Sequence, residues 1–337
     1  MGRNKTTIRD IAKALNITAS TVSRALNNHP GISEATRKAV EATAKKLHYR
    51  PNHIAAALRN GRSNIIGVLV PSADKSIFPS VIRGIEDEVN RLGYSVIVGQ
   101  TYENSAREAK AIDTMLKTRV DGIIVSIAKD TNVFEHLTRI RAEGIPLVLF
   151  DNTVSDLGVS IIKNDDFHGA YLATEHLILG GRKKIVHLIG PRTSEIYRER
   201  LRGYTVALSR YGLHADPNLL VDCPSDVQAG QSVVQELINK GVSFDAIFSS
   251  SDYAALGAIQ QLKANNISVP QEVSIVGFGN APFTSYLDPA ISTVDQNGLQ
   301  MGQCAARVFL EQIKQGDNYI IRQHILQPQL IIRASSP

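Results

Sequence analysis

The chain has 337 residues, 43% hydrophobic and 20% charged, with a net charge of +5. That composition supports two or three globular domains and a sizeable core. No apolar run approaches the ~18 residues of a membrane span. "MGRNKTTIRD" has no apolar stretch behind its basic residues, so no secretory signal is expected and a cytoplasmic location follows. Two cysteines, Cys223 and Cys304, are too few for a disulfide framework. The charge is uneven: twelve Lys and Arg stand against three Asp and Glu in residues 1–62, a net +9, which leaves −4 on the rest. A small basic head on a mildly acidic body points to a polyanion partner for the head alone.

From the amino terminus, apolar residues recur with helical spacing. Ile8, Ile11, Ala12 and Leu15 line a first helix, with Thr7 placed to cap it. Thr18 is placed to cap a second, whose inner face is Val22, Ala25 and Leu26. "NNHPG" is a strong turn. Ser33 then caps a third helix, with Ala35, Ala39, Val40, Ala42, Thr43 and Leu47 as its apolar residues, and Arg50-Pro51 ends it. Two short helices joined by a tight turn and braced by a third form a helix-turn-helix unit, expected over residues 1–50. Such a unit lays its second helix in the major groove of double-stranded DNA. Arg24 has the fork that fits a guanine edge, Ala19 suits a thymine methyl, and Ser20 lies beside them. Thr21, Ser23 and Asn27 are short hydrogen-bonders suited to phosphates, and the capping Thr18 is a further DNA-contacting candidate. Any one hydroxyl is better explained as a helix cap. Together, inside a basic head, these residues read as a DNA-contacting face.

Beyond residue 63 the pattern changes to α/β. "NIIGVLVP" (64–71), "YSVIVGQ" (94–100), "VDGIIVS" (120–126) and "IPLVLFD" (145–151) are near-continuous β-branched runs, as buried parallel strands are. Amphipathic segments such as "FPSVIRGIEDEVNRLG" and "SAREAKAIDTMLKTR" alternate with them. The alternation restarts after about residue 165 with strands at "KKIVHLIGP", "FDAIFSSSD" and "VSIVGFGN". Helices in that half are "HGAYLATEHLILGG", "RERLRGYTVALSRYG" and "YAALGAIQQLKANN". Two doubly wound lobes are expected, the first over about 64–164 and 293–322, the second over about 165–292 and 323–337. Ligands of such sheets bind beyond the carboxyl ends of the strands. The candidates there are Ile77 and Phe78, Asp151, Arg200, Ser251 and Asp252, and Gly279 and Asn280. A carboxylate, an arginine, an amide and an aromatic ring converging on a cleft suit a polyhydroxylated ligand.

The stretches "TIRDIAK", "TVSRALN", "ATRKAVEATAKKLHYRPN" and "ALR" before "IIGVLVP" resemble the head, linker and first body strand of the LacI/GalR family of bacterial transcription regulators. "FDN", "NDDFHGAYLATEHLILGGRKKIVHLIGP", "RLRGY", "DYAALGAIQQL" and "VSIVGFGNAPFTSYLDPAISTVDQ" extend the resemblance to residue 334. Thr7 and Tyr49, within these stretches, join the candidate DNA-contacting residues. The resemblance implies a three-helix head, a hinge helix over 51–63 that folds on operator DNA, and a two-lobed core like that of periplasmic binding proteins. It implies a homodimer on a pseudo-palindromic operator, repression, and a small-molecule effector, most commonly a sugar, with a nucleobase or nucleoside as the alternative. "RPNHIAAALRNGRS" is too short and polar to be a stable helix alone. In the hinge role Leu58 is a wedge between base steps, Arg59 and Arg62 meet phosphates, and Asn52 and His53 start the helix near the backbone. By the same resemblance Arg200 is the effector arginine and Asp151 the cleft aspartate. Two departures stand out: "NIT" replaces the usual "GVS" before the second helix, and Gly279-Asn280 stands where an acid is frequent.

Other functions find less support. "GFGNAP" lacks the third glycine of a dinucleotide fingerprint. Neither a Walker loop, a zinc-spaced His/Cys set nor a nucleophile elbow occurs, so no enzyme and no cofactor is expected. A transport-type sugar-binding protein would share the body but not the basic helical head. After "PQLIIRASSP" there is no leucine heptad, which argues against a tetramer built by a terminal coiled coil.

Overall fold

The computed structural model describes residues 6–49, 62–75 and 77–337. The linker candidates Asn52, His53, Leu58 and Arg59 lie outside the described residues, as does the expected hinge helix apart from Arg62 and Ser63. The chain divides into two compact units, residues 1–63 and 64–337.

The first unit holds α1 (Ile8–Leu15), α2 (Ala19–Leu26) and α3 (Glu34–Lys46). Asn16, at φ 52°, turns the chain between α1 and α2. Ile11, Ala12, Val22, Ala25, Val40 and Ala44 form its core, with Ile8, Leu15, Leu26, Leu47 and Tyr49 packed around them. The inner face of α3 differs from the expectation, since Ala35, Ala39 and Ala42 are exposed and Ala44 is buried. A helix turns about 100° per residue, so Val40, Ala44 and Leu47 share one face and the three exposed alanines fall away from it.

The second unit begins with β1 (Ile65–Val70), α4 (Phe78–Val89), β2 (Ser95–Gln100), α5 (Ser105–Lys117), β3 (Gly122–Val125), α6 (Glu135–Ala142), β4 (Leu147–Phe150) and β5 (Ser160–Asn164). It continues with α7 (Asp166–Leu179), β6 (Ile185–Ile189), α8 (Glu195–Arg210), β7 (Leu220–Asp222), α9 (Val227–Asn239), β8 (Ala246–Ser249), α10 (Asp252–Ala264), β9 (Ser274–Phe278) and β10 (Ser292–Asp295). It closes with α11 (Gly298–Gln315), β11 (Gln323–Leu326) and β12 (Gln329–Ile331). The first sheet runs β11-β5-β4-β3-β1-β2 with all neighbours parallel. The second runs β12-β10-β9-β8-β6-β7, parallel except for β12, which is antiparallel to β10. Alternate residues of each strand feed opposite faces. Val68 and Val70 pack on the α4/α11 side with Phe150 and Phe309, while Leu69 faces Ile112 and Met115 of α5.

Three features depart from the sequence expectation. Strand β10 joins the second sheet, and β11 joins the first, so the chain crosses between lobes at 165, 296–297 and 327–328. Local pattern marks a strand; backbone pairing with distant residues decides which sheet it enters. Five short strands, β5, β7, β10, β11 and β12, carry no long β-branched run. Strand β2 is an edge, with Ile97 40% and Val98 38% exposed, because only one side of it is paired. Among the described residues no helix is long and apolar enough to cross a membrane.

Candidate functional site

In the head, the Thr18 hydroxyl accepts from the Thr21 amide (3.2 Å) and shares hydrogen bonds with the Ser20 (2.8 Å) and Thr21 (2.9 Å) hydroxyls. Thr18 is therefore the cap of α2. The Thr7 amide and hydroxyl both donate to Asp10 (2.7 and 2.8 Å), which holds that carboxyl below its ordinary range. Asn27 Nδ2 donates to the Ser23 carbonyl at 2.6 Å. Ser20, Arg24 and Asn27 are exposed and spaced i, i+4, i+7, so they share one outward face of α2. Ala19 and Tyr49 instead pack on the head's core. That placement turns them from the contacts expected of them, since their apolar surface is already buried within the head. Thr21 and Ser23 are half-buried.

In the body, a pocket opens between the lobes. Asp151, Asn152 and Thr153 after β4, Lys163 and Asn164 at the end of β5, and Asp165, Asp166 and Phe167 at the start of α7 line it with Glu195, Ile196 and Glu199 of α8 and Ile325 of β11. The ends of β4 and β5 converge because these strands are neighbours in the first sheet, and β5 leads straight into α7 of the second lobe. Asp151 holds φ 57°, uncommon outside Gly, Asn and Asp. Its side chain accepts one long bond, from the Ser126 hydroxyl at 3.3 Å. Burial, and then the negative charge of Asp166, push the Asp151 carboxyl up to about 6, against the pull of Arg200 and Lys129.

Arg200 is 5% exposed. Its Nε and a terminal nitrogen meet Asp166 at 2.8 and 2.7 Å, its other terminal nitrogen donates to the Ser250 carbonyl at 2.8 Å, and its plane lies 3.6 Å from the Phe278 ring centre. Three contacts join the lobes around the pocket. Lys163 pairs with Glu195 at 3.1 Å, the Ser194 hydroxyl donates to Asn152 at 3.3 Å, and the Lys129 ammonium lies 5.4 Å from the Tyr197 ring centre. Lys129 is itself held by Glu103 at 2.7 Å. Gly190 makes room for Tyr197: a Cβ there would lie 2.2 Å from the ring.

Two family models account for both units. Residues 63–333 match the one described as periplasmic binding proteins and sugar binding domain of LacI family, and residues 7–52 match bacterial regulatory proteins, lacI family. The chain belongs to the LacI family of bacterial regulatory proteins. Among similar proteins, the HTH-type transcriptional repressor CytR of Escherichia coli (strain K12) is 30% identical over 333 residues, 98% of this chain and 96% of that one. The NTD biosynthesis operon regulator NtdR of Bacillus subtilis (strain 168) is 32% identical over 331 residues, 98% of this chain and 99% of that one. A solved lac repressor dimer, bound to operator and the anti-inducer ONPF, superposes with a TM-score of 0.87 at 25% identity, covering 99% of each chain. This LacI-family chain is a DNA-binding transcription regulator with an effector-binding body.

Of its eight effector candidates, Asp151 lines the pocket, and Arg200 reaches it through Asp166. The others do not line it. Ile77 and Phe78 belong to the first lobe's core, where Phe78 packs edge-on against Phe150 at 6.3 Å. Ser251 caps α10 by accepting from the Tyr253 amide. Asp252, 2% exposed, turns inward and accepts from the Ala281 amide (2.7 Å) and the Thr293 hydroxyl (2.6 Å). Asn280 bridges Asp295 (3.0 Å) and Arg333 (2.8 Å). Gly279, at φ 129°, occupies backbone space that side-chain-bearing residues rarely adopt. Strand-end position alone selected these residues; their partners lie in β10 and the carboxyl-terminal segment. The polar lining residues missed include Asn164, Asp165, Asp166, Glu195 and Glu199, with Lys163 and Asn152 beside them. "NDDFHGAY" held three of them, and a strand recognised at 160–164 would have placed them at a strand end.

Proposed function

We propose that the chain is a homodimeric, sequence-specific repressor, without catalytic activity and acting in the cytoplasm, whose operator affinity is set by a polyhydroxylated small molecule bound between its lobes. Ser20 and Arg24 of α2 and Asn27 at its carboxyl-terminal cap meet DNA, Arg24 reading a base edge. The single observation that carries the reading is the interlobe pocket lined from both lobes by hydrogen-bonding side chains, in the same chain as that exposed α2 face. A ligand there touches both lobes at once, so it favours one lobe arrangement over another, and its coupling to DNA affinity is reciprocal.

Aromatic geometry favours a sugar-like ligand over a nucleobase. The guanidinium of Arg202 covers Phe167 at 3.9 Å, and Tyr197 is flanked by Lys129 and Arg200, each at 5.4 Å. Phe167 lines the pocket, and Arg202 already covers one face of its ring, which leaves less face for a base. Selection from random duplexes at moderate salt, with and without pooled sugars and nucleosides, tests the proposal. An enriched palindrome whose affinity shifts with one of the pools supports it. Salt-sensitive binding with no enrichment under any condition removes it.

A further inference from the structure

We propose that the ligand of the interlobe pocket carries an ammonium group: a hydroxylated amine of the amino-sugar type, in preference to a neutral or phosphorylated sugar. The inference deepens the effector reading above and rests on it.

Five carboxylates line the pocket, those of Asp151, Asp165, Asp166, Glu195 and Glu199, against one lining cation, Lys163. Three of them are matched: Asp166 by Arg200 at 2.7 Å, Glu195 by Lys163 at 3.1 Å, and Glu199 by Arg202 at 2.6 Å. Asp151 and Asp165 form no ion pair among the described residues. Lys129 and Arg200 act on Asp151 without pairing with it, since Lys129 is committed to Glu103 and Arg200 to Asp166, and Arg202, paired with Glu199, acts likewise on Asp165. Asp165 Oδ1 caps α7 by accepting from the His168 amide at 2.9 Å, and its other oxygen has no such duty. A phosphate entering here adds negative charge to a wall where five carboxylates face one lining cation and two of them have no ion pair among the described residues, which Coulomb repulsion opposes. An ammonium supplies the missing countercharge through short, charge-assisted hydrogen bonds.

The second observation is independent of charge. Asn164 lies between these groups in sequence and lines the same pocket, 4% exposed, yet among the described residues neither its Nδ2 nor its Oδ1 has a hydrogen-bond partner. Buried amides are rarely left unpaired. A donor and an acceptor on one planar group suit a hydroxyl, which both gives and takes. Among the described residues the pocket wall thus holds two carboxylates without an ion pair, suited to an amine, and the buried, unpartnered amide of Asn164, suited to a neighbouring hydroxyl.

Calorimetric titration of the full-length chain at pH 7 tests this with matched pairs: glucosamine and glucose, galactosamine and galactose, 3-amino-3-deoxyglucose and glucose, with glucose 6-phosphate as the anionic probe. At least one amine is expected to bind about tenfold or more tightly than its parent sugar, and the phosphate more weakly than either. Asp151→Asn and Asp165→Asn each reduce the amine's advantage severalfold. Both keep the fold, since Asn has the shape of Asp and caps helices as well as Asp does. Asn164→Ala weakens amine and parent alike. Equal affinity within every pair, no amine binding, tighter binding of the phosphate, or an advantage untouched by both Asn variants overturns the inference. Operator affinity in the same samples separates it from the effector reading. An amine preference without any change in operator binding keeps the ligand class and removes the effector role. A neutral sugar that shifts operator affinity does the reverse.

Discussion

Arg200 and Asp166 form a buried ion pair in which two guanidinium nitrogens close on one carboxylate oxygen at 2.7 and 2.8 Å. The pair joins α8 to the start of α7, and the Ser250 carbonyl and the Phe278 ring occupy the rest of the guanidinium. Arg200 therefore holds the second lobe together at the edge of the pocket, and its role is first one of positioning. Removing one partner strands the other charge, so Arg200→Ala is expected to cost about 3–5 kcal/mol. The double variant Arg200→Ala/Asp166→Ala is expected to cost less than the two single changes combined. Urea unfolding of the four proteins measures the coupling, and strict additivity would show that the pair is not a unit.

His187 gives an acid-side prediction. It is fully buried, stacked on Phe248 at 4.6 Å and Tyr204 at 5.0 Å, with Nδ1 bonded to the Phe248 carbonyl and Nε2 without a partner among the described residues. Burial pushes its pKa from 6.5 down to about 3. Between those values the unfolded chain binds the proton and the folded one does not. Stability from this group is full above 6.5 and is lost as the pH falls, by about 1.4 kcal/mol per unit. His187→Phe removes that slope, and urea midpoints from pH 4 to 8 report it.

Asp151 acts with the opposite sign. Its folded pKa, about 6, lies above its ordinary 3.8. The folded state keeps this proton longer, so its contribution is full below 3.8 and is lost as the pH rises through 6. Asp151→Asn abolishes this component, and its stability profile between pH 4 and 7 falls less steeply with rising pH than that of the parent. An identical slope in both proteins would show that Asp151 titrates like an exposed aspartate.

Glu108 is wholly buried and accepts from the Ala128 amide (2.5 Å), the Thr131 hydroxyl (2.9 Å) and His136 (2.7 Å). These bonds tie down the segment that carries Lys129 to Tyr197. His136→Ala leaves a carboxylate under-satisfied and is expected to cost about 1–3 kcal/mol. His136→Gln restores a donor and recovers part of it. Thermal denaturation of the three proteins measures the recovery.

In the head, Arg24 is exposed on the same face of α2 as Ser20 and Asn27. Arg24→Ala is expected to cost about 1–3 kcal/mol on the selected operator and much less on random duplex. Fluorescence anisotropy at matched salt separates the two. Equal losses on both would make Arg24 a phosphate contact.

The sequence alone determined what depends on near neighbours. Apolar spacing in 8–15 and 19–26 defined α1 and α2, Thr18 and Ser33 stood where caps were needed, and continuous Val/Ile runs marked β1, β3, β4, β6 and β9. Each of these is decided within a few residues, by backbone geometry and by which face must leave water. Tertiary structure alone decided where distant segments meet. It put β10 and β11 into sheets other than those expected, because the strands pair with β9 and β5 rather than with their sequence neighbours. It turned Asp252 inward toward Ala281 and Thr293, and brought Asn164 and Asp165 beside Asp151 and the first turn of α8. Strand-end position makes a side chain available; whether it meets a ligand or its own fold depends on partners supplied from elsewhere along the chain.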